Sequence, residues 1–139
     1  MAAIPRPDRV RSMRGTPFAW LDARLLRGGW LRALSLEELA AYVFLCLAAD
    51  RSGVSYYRRA RIGQELGLDD QQVHRALEHL RKAGLVAYAP FHPGAADGYH
   101  QVLPLPATPP PRPSLLDELA ARLGRDRDPR ARERERERE

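Results

Sequence analysis

From Val73 to Ala83, apolar side chains recur every three or four residues: Val73, Ala76, Leu77, Leu80 and Ala83. That is the period of one face of an α-helix. Asp69 stands where an N-cap belongs and Gly84 where the helix must stop, so the spacing predicts a helix to about Ala83. Just upstream, "RRARIGQEL" predicts a shorter helix with Ile62 and Leu66 facing inward. Gly67 suits a left-handed stop, and Leu68 plugs the turn between the two helices. Earlier still, "SLEEL" is a capping box in which the Ser35 hydroxyl accepts from the Glu38 N–H while the Glu38 carboxylate reaches back. The helix it opens runs to Ala49 and is apolar almost all round (Leu39, Tyr42, Val43, Phe44, Leu45, Cys46, Leu47), which predicts a buried central helix.

Strand signals flank these helices. "LVAYA" and "YHQVLPL" predict two strands joined by "PFHPGAADG", a connection rich in turn-forming residues. "VSYY" (residues 54–57) predicts a third, short strand, and Phe18 and Trp20 share one side of another. Gly28–Gly29 breaks the chain after Leu25 and Leu26, leaving Trp30 and Leu34 to pack beneath the downstream elements.

The ends read differently. Residues 1–17, with Pro5, Pro7 and Pro17, are irregular. Six of the ten residues from Pro104 to Pro113 are proline, predicting an extended linker. "SLLDELAARLG" predicts one small amphipathic helix at 114–123, too short to stand alone in water. The terminal "RERERERE" places opposite charges at i,i+3 but like charges at i,i+4, a pattern of a solvated, disordered end. The expectation is one α+β, mainly α, domain at 18–106, a flexible arm at 1–17 and a linker–helix–tail at 107–139.

Charge sharpens that division. Of the net +5 of the 139 residues, the arm holds four Arg against one Asp, while the domain holds ten basic and nine acidic groups. A basic arm on a nearly neutral body suits a polyanion. Arg outnumbers Lys 22 to 1, and the guanidinium fork matches phosphate. The longest apolar run, Leu39 to Ala49, is 11 residues, against the roughly 20 a membrane helix needs. With no secretory pattern at the start and a single cysteine, Cys46, the expected location is the cytoplasm.

"YYRRARIGQELGLDDQQVHRALEHLRKAGLV" resembles the helix-turn-helix and first wing strand of winged helix-turn-helix DNA-binding proteins. The lead-in, with Leu25–Leu26, Trp30 and Leu34–Ser35, is similar to the N-terminal domains of bacterial and phage replication-initiator-like proteins. Together the resemblance spans about residues 18–105. It implies a three-helix core with a β-hairpin wing, a third helix that enters the major groove of double-stranded DNA, and a role in transcriptional regulation or replication initiation. By position in that motif, Gln71, Gln72 and Arg75 would reach base edges or phosphate, with His74, Glu78 and Arg81 on the same exposed face. Arg58, Arg59 and Arg61, near the start of the preceding helix, would clamp backbone phosphates.

Two features temper this reading. Asp70 lies where it would repel phosphate, and the wing "PFHPGAADG" has no Arg or Lys, so its cationic charge would depend on His92 or His100. His92 and His100 are placed to face each other across the wing, with no cysteine nearby to complete a zinc set; no metal or cofactor is expected. His74 and Glu78, at i,i+4, form a surface pair, and Cys46 is a core residue. No phosphate-binding loop, dinucleotide fingerprint or nucleophile elbow is present, so no enzymatic role is expected. A second reading stays open: an adaptor whose uncharged wing, with Phe91 and Tyr99 near its tip, binds protein, and whose 114–123 helix docks on a partner or on a second copy.

Overall fold

A computed structural model of the chain describes residues 3–12 and 14–110. The expected 114–123 helix and the Arg/Glu tail lie outside the described residues.

The core is built from three helices: α3 (Leu36–Ala48), α4 (Arg59–Leu66) and α5 (Asp70–Lys82). Two single-turn helices, α1 (Arg24–Arg27) and α2 (Trp30–Ala33), precede them and are parted at the glycine pair; Trp30 is fully buried and Leu34 nearly so. α3 starts on the expected capping box, with both reciprocal bonds at 3.2 Å. α5 starts on another: the Asp69 carboxylate accepts from the Gln72 N–H at 2.7 Å, and the Asp69 N–H donates to Gln72 Oε1 at 2.9 Å. The tight turn between α4 and α5 depends on two glycines. Gly67 takes φ 69°, the left-handed stop that L-residues resist. A Cβ on Gly63 would come within 2.6 Å of the Leu68 carbonyl oxygen, so only glycine lets the turn fold back on α4. Val73, Ala76, Leu77 and Leu80 of α5 are buried against Tyr42, Leu45 and Ile62 in one continuous core.

Three antiparallel strands close the domain in the order β1 (Val54–Ser55), β3 (Gly98–Val102), β2 (Val86–Pro90). The β2–β3 hairpin pairs Val86 with Val102 and Pro90 with Gly98. A helix-turn-helix followed by this hairpin, with the short β1 completing the sheet, is the winged helix-turn-helix fold. Among the described residues no helix is long and apolar enough to cross a membrane.

Three local expectations need correction. Residues 17–22 form no strand: none of them pairs with the three-stranded sheet, and Phe18 and Trp20 project into solvent at 66 % and 78 % exposure. α3 is not buried all round. Ala41, Tyr42 and Leu45 face the core, whereas Leu36 and Leu47 are exposed, because helices and sheet cover only one side of it. His92 and His100 do not face each other. His100 sits on the inward side of β3, opposite Tyr88 and Ser55, while His92 lies exposed in the turn with its ring against the Pro93 carbonyl. Strand alternation puts Gly98 and His100 inside and Tyr99 and Gln101 outside.

Candidate nucleic-acid interface

The outer face of α5 is set by its inner one. With Val73, Ala76, Leu77 and Leu80 turned into the core, the helical period leaves Gln71, His74 and Arg75 exposed. Among the described residues Arg75 has no side-chain partner, and neither has Arg58, the exposed residue just before α4. Arg61 is exposed and bonded to Glu65 at 2.9 Å, with its guanidinium 5.9 Å from the Tyr57 ring centroid. Arg81 bonds Glu78 at 2.7 Å and lies 5.1 Å from the Tyr88 ring centroid. These exposed pairs hold their charges loosely, since surface ion pairs contribute little.

Gln72 departs from its expected place. Its Oε1 and backbone N–H are engaged in the α5 capping box, and its Nε2 donates to Glu37 of α3 at 3.0 Å. It is half-buried, tied to Glu37 of α3. The expected His74–Glu78 pair does not form either. His74 Nδ1 accepts from an Arg59 Nη at 3.2 Å, and Glu78 accepts from Arg81.

Arg59 is the least free of the three cations expected to clamp phosphate. Its backbone N–H donates to Asp97 Oδ1 at 3.1 Å, and its Nε lies 3.6 Å from the same carboxylate. Asp97, from the wing turn, therefore satisfies a first-turn N–H of α4. A chain of contacts runs from the wing through Arg59 to His74 on α5. Asp97 is legible in the sequence only as a turn residue, because its partner lies 38 positions away. His100, expected as a source of positive charge for the wing, is held below the ordinary histidine range. Burial is the main cause, followed by the nearby Arg81, partly offset by Asp97. The wing thus carries no cation from His100 at neutral pH.

Opposing charges on this face nearly balance. Asp69 is committed to its cap, where a carboxylate also complements the helix dipole, but Asp70 is exposed at the first turn of α5. In the N-terminal arm, Arg6 is paired with Asp8 at 2.9 Å, while Arg9, Arg11 and Arg14 are exposed. Cys46 is half-buried, and burial raises its thiol, consistent with a packing role. Among the described residues no three His, Cys, Asp or Glu side chains gather where they could hold a metal ion.

No family model matches this chain, and no curated protein does. Among solved structures it is similar to the crystal structure of a MarR family transcription regulator, at 20 % identity and a TM-score of 0.45. The match covers 59 % of this chain and 50 % of that one, so the chain spans about half the length of the structure it matches.

Proposed function

We propose that this protein is a non-enzymatic, cytoplasmic DNA-binding protein that reads duplex DNA by inserting α5 into the major groove, in transcriptional regulation or replication initiation. The observation that carries this reading is the outer face of α5: Gln71, His74 and Arg75 stand exposed on a rigid, capped helix, and Arg75 has no partner among the described residues. A free guanidinium of this kind reads guanine bidentately, and an exposed glutamine reads adenine. Arg58, Arg61 and Arg81 supply phosphate contacts that set register. Gln72 serves the scaffold, and Arg59 is tied to it through Asp97 while its Nε–H remains unspent. The arm, through Arg9, Arg11 and Arg14, adds attraction where the wing has none.

Affinity is modest under this reading, because Asp70 opposes a phosphate at a cost of about 1 kcal/mol in well-solvated surroundings. Binding to duplex DNA across a salt series tests it. Each phosphate neutralised adds about 0.9 to the slope of log K against log salt, so a slope of several is expected. A flat response, or no binding at low salt, overturns the proposal.

A second reading, a protein-binding adaptor or dimerisation module, is favoured by one observation. Phe18, Trp20 and Leu47, all exposed, line a groove of about 740 Å³ beside α3, and no residue of α5 takes part in it. A contact through residues 114–123 belongs to the same reading. Solution mass of the full chain at rising concentration, with and without Trp20→Ser, tests the groove: association that the substitution abolishes supports this role.

A further inference from the structure

Two buried polar atoms among the described residues have no hydrogen-bond partner, Arg59 Nε and His100 Nδ1, and both residues line the same cleft. Buried polar groups are rarely left unpaired in a folded protein. The cleft lies between α5 and the wing and encloses about 150 Å³, several times the roughly 10–15 Å³ that one water requires. His100 is 4 % exposed. Arg59 Nε is 3.6 Å from the Asp97 carboxylate, too far for a hydrogen bond. The other ionisable groups on the walls are His74, Glu78 and Arg81. The two carboxylates are already engaged, Glu78 with Arg81 at 2.7 Å and Asp97 with the Arg59 N–H at 3.1 Å.

We infer that this cleft binds one phosphate group, held by the Arg59 Nε–H, the Arg81 guanidinium and the His100 imidazole. The unspent Arg59 Nε–H is a donor, which argues against a metal cation as the natural occupant, and two arginines line the cavity. Guanidinium forks match the oxygens of phosphate in both spacing and charge. The local field agrees: Arg81 and Arg59 both act on His100 as positive neighbours, and a bound phosphate would reverse that influence. Two sources offer this chemistry, a free phosphate and a phosphodiester of a duplex lying against α5. Only the second source rests on the DNA-binding reading.

The test tracks the imidazole resonances of the full chain by NMR while inorganic phosphate replaces chloride at constant ionic strength, with no DNA present. Duplex DNA is then added in a separate titration. A saturable shift of His100 that exposed His92 does not share supports the inference. With Arg81→Gln, half-saturation moves to about tenfold higher phosphate, as loss of one charge-assisted bond requires. Arg51→Gln, remote from the cleft, leaves it unchanged. A His100 shift with DNA alone assigns the site to a phosphodiester, and a shift with phosphate alone assigns it to a free anion. Loss of DNA binding leaves the phosphate arm standing. His100 unmoved by either titrant, or moving only in parallel with His92, overturns the inference.

Discussion

α5 and the wing lie side by side and treat charge in opposite ways. α5 turns its apolar residues inward and holds Arg75 out, with no partner among the described residues. The wing turns its one carboxylate inward: Asp97 bonds the first turn of α4 and pairs with Arg59. From Leu85 to Leu105 there is not one Arg or Lys. The two elements therefore present different surfaces, one with exposed arginine and one without Arg or Lys. The wing acts as a strut, fixing the start of α4 and, through Arg59 and His74, the flank of α5. The lesson is that a wing without Arg or Lys can commit its carboxylate to holding the helices beside it.

The contrast can be broken at several points. The largest effect is expected inside α5: Leu80, fully buried, should cost about 2–5 kcal/mol of stability when changed to Ala. Urea unfolding measures it, and a loss under about 1 kcal/mol would mean that α5 is not anchored as described. Next is Asp97→Ala, which removes a helix-end bond and an ion-pair partner and should cost about 1–2 kcal/mol. Hydrogen exchange should then quicken in the wing and at the start of α4 together. Quickening in the wing alone would show that the strut does not exist.

A smaller effect separates the two glutamines. Gln72→Ala should cost about 0.5–1 kcal/mol through the capping box and the Glu37 bond, with the preferred DNA sequence unchanged. Gln71→Ala should do the reverse, altering sequence preference with stability constant within about 0.5 kcal/mol. A changed preference with Gln72→Ala would return that residue to the reading face.

The smallest effect is on pH dependence. His100 titrates below its unfolded value, so the unfolded chain takes up a proton that the folded chain resists. This contribution to stability is complete above the unfolded histidine range near 6.5 and declines as pH falls through that value toward the lower folded one. Unfolding midpoints at pH 7 and pH 5 should show the decline, and His100→Asn should remove that component. An equal decline in the variant would assign it to other groups.

α5 is legible in the sequence because its signals are local. The stripe from Val73 to Leu80, the Asp69 cap and the Gly67 stop all lie within a few residues of the groups they act on. The capping box at Ser35–Glu38 is written in four residues and is present. The features hidden from the sequence are non-local. Gln72 has the position of a reader, but its acceptor, Glu37, lies 35 positions earlier, and Asp97 has the look of an ordinary turn residue because its partner is on another element. The segment at Phe18–Trp20 has the residues of a strand, but a strand requires a pairing partner, and which segments pair is a property of the whole fold.

The most direct test of the central claim is an unbiased selection of bound duplex oligomers, run in parallel with the wild-type chain and Arg75→Ala. The account predicts a defined motif for the wild type and loss of information at one position in the variant, with a discrimination cost of about 1–3 kcal/mol there and an unchanged fold. No enrichment with the wild type, or an identical motif from both proteins, would contradict it.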